Sequence, residues 1–203
     1  GRVSLTIGII SVGIGLIFGG SLGVIAAYYG GVTETVIMRV IDVLMAIPSI
    51  ILSISICAAL GSGIVNTMIA VGISSIPTYA RVFRSSVISE KSKEYIEAAR
   101  AVGAGNARII LKHILPNSIA PVIVQASLGV AQAITTAASL SFIGLGIQPP
   151  NPEWGALLSS GRQYIRDFPH MVVYPGIAIM LTVLALNLIG DGLRDALDPR
   201  LKR

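Results

Sequence analysis

Apolar residues fill this 203-residue chain in long blocks. They follow neither the strict alternation of a half-buried strand nor the narrow stripe of a surface helix. Five blocks stand out, at about 3–27, 35–60, 64–87, 118–140 and 171–189. The second is most apolar over 43–60 and begins as a helix near Thr35. A run of about 18 or more apolar residues spans a hydrocarbon core of ~30 Å as a helix. The pattern therefore predicts an all-α membrane protein, a single domain over 1–203 with five transmembrane helices. Polar intervals separate the blocks: a charged segment at about 90–114, an external loop at 141–170 and a tail at 191–203.

Composition agrees with this class. Hydrophobic residues make up 53% of the chain and charged ones 12%, against about a quarter charged in soluble domains. In a soluble chain the net charge of +5 would suggest nucleic acid. Here it reflects the cytoplasmic accumulation of Lys and Arg, so the expected surroundings are lipid and no nucleic acid. With 90–114 in the cytoplasm, twelve of the fifteen Lys and Arg fall on that side; Arg2, Arg162 and Arg166 stay outside. The N-terminus is then external and the C-terminus cytoplasmic. The lone Cys57 reads as a small packing residue, and no Cys/His cluster has metal-ligand spacing.

Small residues mark where spans touch. Ser11, Gly15, Gly19, Gly23 and Ala27 recur every four positions, and Gly129, Ala133, Ala137 and Ser141 repeat the device. Such ridges let helix backbones approach closely where lipid supplies no hydrophobic drive.

The charged insertion reads as helix, tight turn, helix at the cytoplasmic surface. Ser92 is placed to cap the first helix, with Glu94 favourable in its first turn. Gly103 and Gly105 stop it. Asn106 is placed to cap a second helix over 107–114, and Pro116 suits the first turn of the next span. Three roles compete: an ordinary amphipathic surface loop, a lipid-surface helix, and a docking element. Lipid binding would favour larger apolar residues than Ala98, Ala99 and Ala101, whereas a small face suits a groove on another protein. Glu97 then serves as a polar anchor or pairs with Arg100, three positions on.

Other polar residues keep two readings each. Arg39 and Asp42 form an interfacial pair or helix-end charges, or else line a pathway, since an acid inside a span is often functional. The prolines of 141–170 stiffen a loop that either contacts an external protein or only packs on the bundle; Trp154 and Tyr164 suit the membrane interface. Asp191, Asp195 and Asp198 are better read as caps or partners of Arg194 and Arg200 than as metal ligands.

Three stretches carry a family resemblance. "EAARAVGAGNARIILKHILPN" resembles the EAA signature of ABC importer permeases at Glu97, Ala98, Ala99, Gly103, Leu115 and Pro116. His113 stands where many importers have Ile, and "HILPN" is a form common among peptide and nickel permeases. "LSFIGLGIQPPNPEWG" and "GDGLRDALDPR" resemble the second, C-type permease subunit of dipeptide, oligopeptide and nickel importers, and the similarity runs from Gly1 to about Arg200.

The resemblance implies a permease that hydrolyses nothing. Such a chain forms a pathway with a sister permease, couples through its EAA helix to two cytoplasmic ATPases that bind ATP and Mg, and receives cargo from an external binding protein. It implies a bacterial or archaeal cytoplasmic membrane and coupling roles for the six matched residues. It also implies a binding-protein contact near Gln148, Pro149, Pro150 and Trp154. Family members normally have six spans, so the first would precede Gly1. The sequence agrees in lacking the Gly-x-x-x-x-Gly-Lys-Ser/Thr phosphate loop and any cofactor motif. The rival is an ion-gradient-driven carrier, but carboxylates are missing from the middle of every apolar block.

Overall fold

The computed structural model describes residues 1–197, and every regular element among them is helical. The chain opens with α1 (Arg2–Tyr29), α2 (Gly31–Met45), α3 (Ser49–Leu60) and α4 (Ile64–Lys91). The charged segment follows as α5 (Glu94–Ala101) and the short α6 (Asn106–Arg108). A π-helical turn (Ile109–Ile114) carries α6 into α7 (Leu115–Phe142). After α7 come α8 (Trp154–Gly161), a 3-10 turn (Arg162–Tyr164) and α9 (His170–Leu197).

Three expectations change. The second apolar block is not one helix: α2 and α3 meet at 85°. Pro48 causes the break. It has no N–H to donate and pushes the preceding residue out of helical geometry, and Pro48 itself sits at ψ 131°. The second helix of the charged segment does not stop at Ile114; it runs as one 37-residue helical length from Asn106 to Phe142. Pro116, which has no N–H to donate, falls directly after the π-helical turn, where Leu115 N donates to Ile110 O and the regular i→i−4 ladder is already interrupted. The last helix extends past Ile189 to Leu197, so only 198–203 of the expected tail lie outside the described residues. The suggested partners Asp198 and Arg200 fall there.

Three helices are long and apolar enough to cross a membrane by themselves, and the bent α2–α3 pair qualifies as a fourth. The 28-residue α4 is too polar to qualify. Of its polar residues, Ser74, Ser75 and Arg84 are half-buried against neighbouring helices, whereas Thr78 and Arg81 are exposed. The apolar α9 is the least enclosed of the long helices, with Gly190 alone buried.

The bundle is organised around α1 against α4. A side chain at Gly15 would strike Ser75 and Tyr79; at Gly19, the Ile76 carbonyl; at Gly23, the Ala80 carbonyl. These backbones are in contact because nothing larger than hydrogen intervenes. Ser11 opens the seam by donating to the Met68 carbonyl at 3.1 Å. The second ridge does the same on α7, where Gly129 faces the Tyr79 hydroxyl and Ala133 and Ala137 are buried. Both ridges therefore serve internal packing.

Replacing Gly19 or Gly23 by Val would force backbones apart at a cost of roughly 1–3 kcal/mol or more. Gly13 has nothing within 4 Å, so Gly13→Ala should be neutral or stabilising by about 1 kcal/mol through helix propensity. Thermal unfolding of the detergent-solubilised protein distinguishes the two. Equal effects at positions 13 and 19 would count against the seam.

Candidate functional site

The charged segment folds into an elbow. Glu94 and Glu97 occupy the first turn of α5, where negative charge suits the helix dipole. Ser92 does not cap it: its hydroxyl turns back to the Ser89 carbonyl at 3.0 Å, and Lys93 takes the cap position without a side-chain bond. The far end closes as a Schellman turn. Ala104 N donates to Ala99 O at 3.0 Å and Gly103 N to Arg100 O at 2.9 Å. Gly103 adopts φ 83°, a conformation that strains other residues. Asn106 does not cap the next helix; its side-chain oxygen accepts from the Tyr28 hydroxyl at 2.8 Å.

The elbow has a locked inner face and a bare outer one. Ile96 is fully buried with Tyr28, Phe83, Val87, Ile109 and Ile114. Glu97, Ala98, Ala101, Val102 and Gly103 are exposed, Val102 by 85%. The six motif residues thus divide. Glu97, Ala98 and Gly103 lie on the bare face, while Ala99 and Leu115 are half-buried against the core cluster; Pro116 is exposed at the start of α7. Among the described residues no ion pair joins Glu97 to Arg100; the Arg100 guanidinium lies over the Tyr28 ring at 5.8 Å.

Two polar clusters fasten the elbow to the bundle. Lys91 Nζ donates to the Tyr28 carbonyl at 2.6 Å and the Ala27 carbonyl at 3.2 Å, closing the C-terminus of α1. Tyr28 thereby gathers α1, α4, α5 and α6 around one ring. In the second cluster the Tyr95 hydroxyl donates to the buried Glu90 carboxylate, which also pairs with Lys93 at 2.7 Å. Asn117 donates to Tyr95 at 3.2 Å and to the His113 carbonyl at 2.7 Å, bringing in α7. Burial pushes the Glu90 carboxyl upward, but the Lys93 and Tyr95 hydrogen bonds and the Lys93 charge outweigh it and hold it below the ordinary range. Desolvation and then Glu90 raise the Tyr95 phenol to about 12. Neither cluster was anticipated, because their members lie on four separate elements.

Arg39 and Asp42 do not pair. Asp42 binds Arg81 at 2.7 Å, and Glu34 binds Arg84. Both bridges join α2 to α4 across an open cleft of about 740 Å³, which Arg39 also lines. The Asp42–Arg81 pair is about half exposed, so it contributes little stability, at most ~1 kcal/mol.

At the opposite end, Gln148, Pro149 and Pro150 are exposed and Trp154 is half-buried beside Gly1. The expected loop contains α8, started by a residue that sequence reasoning passed over. Glu153, 1% exposed, accepts from Ala156 N at 2.9 Å and from Ser4 at 3.4 Å, tying α8 to α1. Gly155 sits directly on the Ala138 backbone.

A central cavity of about 280 Å³ lies among α1, α3, α4 and α7. Ser74, Ser75, Thr78, Gln125, Gln132 and Thr136 give it a polar wall, and Tyr79 contributes to the same wall. Gln125, Gln132 and Thr136 stand seven and four positions apart, one stripe on α7. That stripe was visible in the sequence, as amides inside an apolar block.

Residues 19–203 match the family described as binding-protein-dependent transport system inner membrane component. The chain is 53% identical over 201 residues to the dipeptide transport system permease protein DppC of Alkalihalophilus pseudofirmus, covering 99% of the chain and 66% of that relative. It is 50% identical to the glutathione transport system permease protein GsiD of Pectobacterium atrosepticum, covering 99% and 67%. The chain therefore spans about two thirds of the length of these curated relatives. The inward-facing MetNI methionine ABC transporter has a chain of similar fold, with TM-score 0.78 at 19% identity over 97% of this chain and 94% of that one.

Glu90 is ionised and fully bonded at neutral pH. Its contribution to elbow order should be complete above the ordinary carboxylate range, near pH 4.3, and be lost as pH falls through its lowered value. Hydrogen exchange of residues 94–101 reads this out. Tyr95→Phe and Glu90→Gln should each speed exchange at neutral pH, and Glu90→Gln should abolish the acid-dependent increase. Unchanged exchange in both variants would remove the clusters as fasteners.

Proposed function

The chain belongs to the family of binding-protein-dependent transport system inner membrane components, and on that premise we propose that it is a permease subunit of an ATP-binding cassette importer for peptides. It forms the pathway with a sister permease. Two cytoplasmic ATPases supply the energy, binding ATP and Mg themselves, and an external substrate-binding protein delivers the cargo. The dipeptide and glutathione transport named for the two relatives supports a small peptide cargo. In this reading five crossings are made by α1, the bent α2–α3 pair, α4, the α6–α7 length and α9. The N-terminus is external, and α5 lies on the cytoplasmic side.

The elbow carries the proposal. Its outer face is small and bare at Ala98 and Gly103, topped by the exposed Val102, and shaped to enter a groove on a partner. Its inner face is fastened through Tyr28 to α1 and through Tyr95 to α4 and α7. A push on Glu97–Gly103 is therefore delivered to three long helices at once. Ala99 and Leu115 serve the inner packing, and Pro116 starts α7 without breaking the helical run. The α2–α4 cleft with Arg39 and Asp42 lies on the cytoplasmic approach to the pathway. Gln148, Pro149, Pro150 and Trp154 offer the external surface to the binding protein.

Ala98→Trp and Gly103→Val should each cut ATP-dependent peptide uptake by tenfold or more while the assembled transporter still hydrolyses ATP. Uptake in proteoliposomes and phosphate release, measured together, decide it. Normal uptake by both variants removes the docking role. Uptake that survives ATP depletion but is abolished by an uncoupler would favour an ion-gradient carrier.

A further inference from the structure

The central cavity has a use that the elbow does not account for. No Asp, Glu, Lys, Arg or His lines it among the described residues. Its polar groups are instead neutral and of two kinds. Ser74, Ser75 and Thr136 already donate to carbonyls of their own helices, at 2.9, 2.7 and 3.0 Å respectively. Ser75 and Thr136 therefore present lone pairs to the cavity, while Ser74 also shares a 2.7 Å hydrogen bond with Ser53 of α3. Gln125 and Gln132 each offer both an amide N–H₂ and a carbonyl. Neither makes a side-chain hydrogen bond within the described residues, although both stand on a helix apolar enough to lie in lipid.

Tyr79 supplies the second, independent observation. Its side chain starts on α4, passes Gly15 of α1 and ends with its hydroxyl against Gly129 of α7. The residue is 2% exposed, yet the hydroxyl has no hydrogen-bond partner among the described residues and belongs to the cavity wall. Gly129 is what admits it: a side chain there would occupy the hydroxyl's place. The hydroxyl is not sealed in the core: it opens onto the cavity, where a bound group can take its hydrogen bond.

We propose that this cavity is a transient recognition site for the backbone amide and carbonyl groups of the cargo, with Tyr79 Oη, Gln125 and Gln132 as its hydrogen-bonding groups and with no sensitivity to side-chain charge. The inference rests on the permease reading and names the chemistry read within the pathway. Each wall group makes an ordinary neutral hydrogen bond, weak enough for the cargo to leave. A volume of about 280 Å³ suits one dipeptide-sized segment at a time. Amides are common to all peptides, so such a wall passes acidic, basic and apolar sequences alike.

The test uses the complete importer in proteoliposomes, with its sister permease, ATPases and binding protein, and the dipeptides Ala-Ala, Ala-Glu and Ala-Lys as probes. Tyr79→Phe removes one oxygen and no packing volume; Gln132→Leu removes an amide from an exposed position. Each should lower uptake per ATP hydrolysed by roughly two- to tenfold, as expected for one neutral hydrogen bond. The same factor should apply to all three probes, with ATP hydrolysis unchanged. Unaltered uptake in both variants overturns the proposal, as does a loss confined to one charge class. If the unsubstituted importer shows no ATP-dependent uptake of any probe, the permease reading falls and this site falls with it.

Discussion

Close contact between the α1 and α4 backbones is the constraint on which the rest of the structure depends. Gly15, Gly19 and Gly23 leave no side chain between the helices, and carbonyls of Ile76 and Ala80 occupy the space. Packing of this kind takes the place of the hydrophobic effect, which gives spans no reason to associate in lipid. One end of the seam delivers Tyr28 beside Lys91, and from that point the elbow is fastened. Further along, the seam holds the Tyr79 ring against Gly15 so that its hydroxyl reaches Gly129 on α7. The fastening of the elbow and the cavity wall are thus consequences of one row of small residues.

Polarity inside the bundle follows from this arrangement. A helix such as α4, with its serines, threonines and two arginines, is costly when it faces hydrocarbon. Packed against α1, α2, α3 and α7, it places its hydroxyls on a cavity and its arginines on Asp42 and Glu34. Hydropathy alone under-reads such a helix for the same reason that the protein can use it. The element too polar to qualify as a span is the one against which α1, α2, α3 and α7 all pack.

Parts of the elbow were legible because they are local. Gly103 as the end of α5, Glu94 in its first turn and the exposure of Glu97 and Ala98 all follow from helix-end chemistry written in adjacent residues. The caps assigned to Ser92 and Asn106 were wrong for a related reason. Both side chains found bonds elsewhere, Ser92 within α4 and Asn106 on Tyr28, seventy-eight positions away. A short polar side chain has several acceptors within reach, and proximity in sequence does not rank them. The same limit hid Glu153, whose partners Ser4 and Ala156 lie on different helices.

The chain by itself determined its class, the placement of its apolar blocks, the small-residue ridges and the motif of its elbow. These depend on composition and on spacings of three and four residues, which a helix converts directly into faces. Tertiary structure decided which ridge meets which helix, which carboxylate pairs with which arginine, and that Ala99 and Leu115 turn inward while Ala98 stays bare. It also brought Tyr79, Gln125 and Gln132 around one cavity from two helices. The physical reason is range. Helix periodicity acts within one element, whereas hydrogen bonds and packing choose among all neighbours that the folded chain brings within a few ångströms.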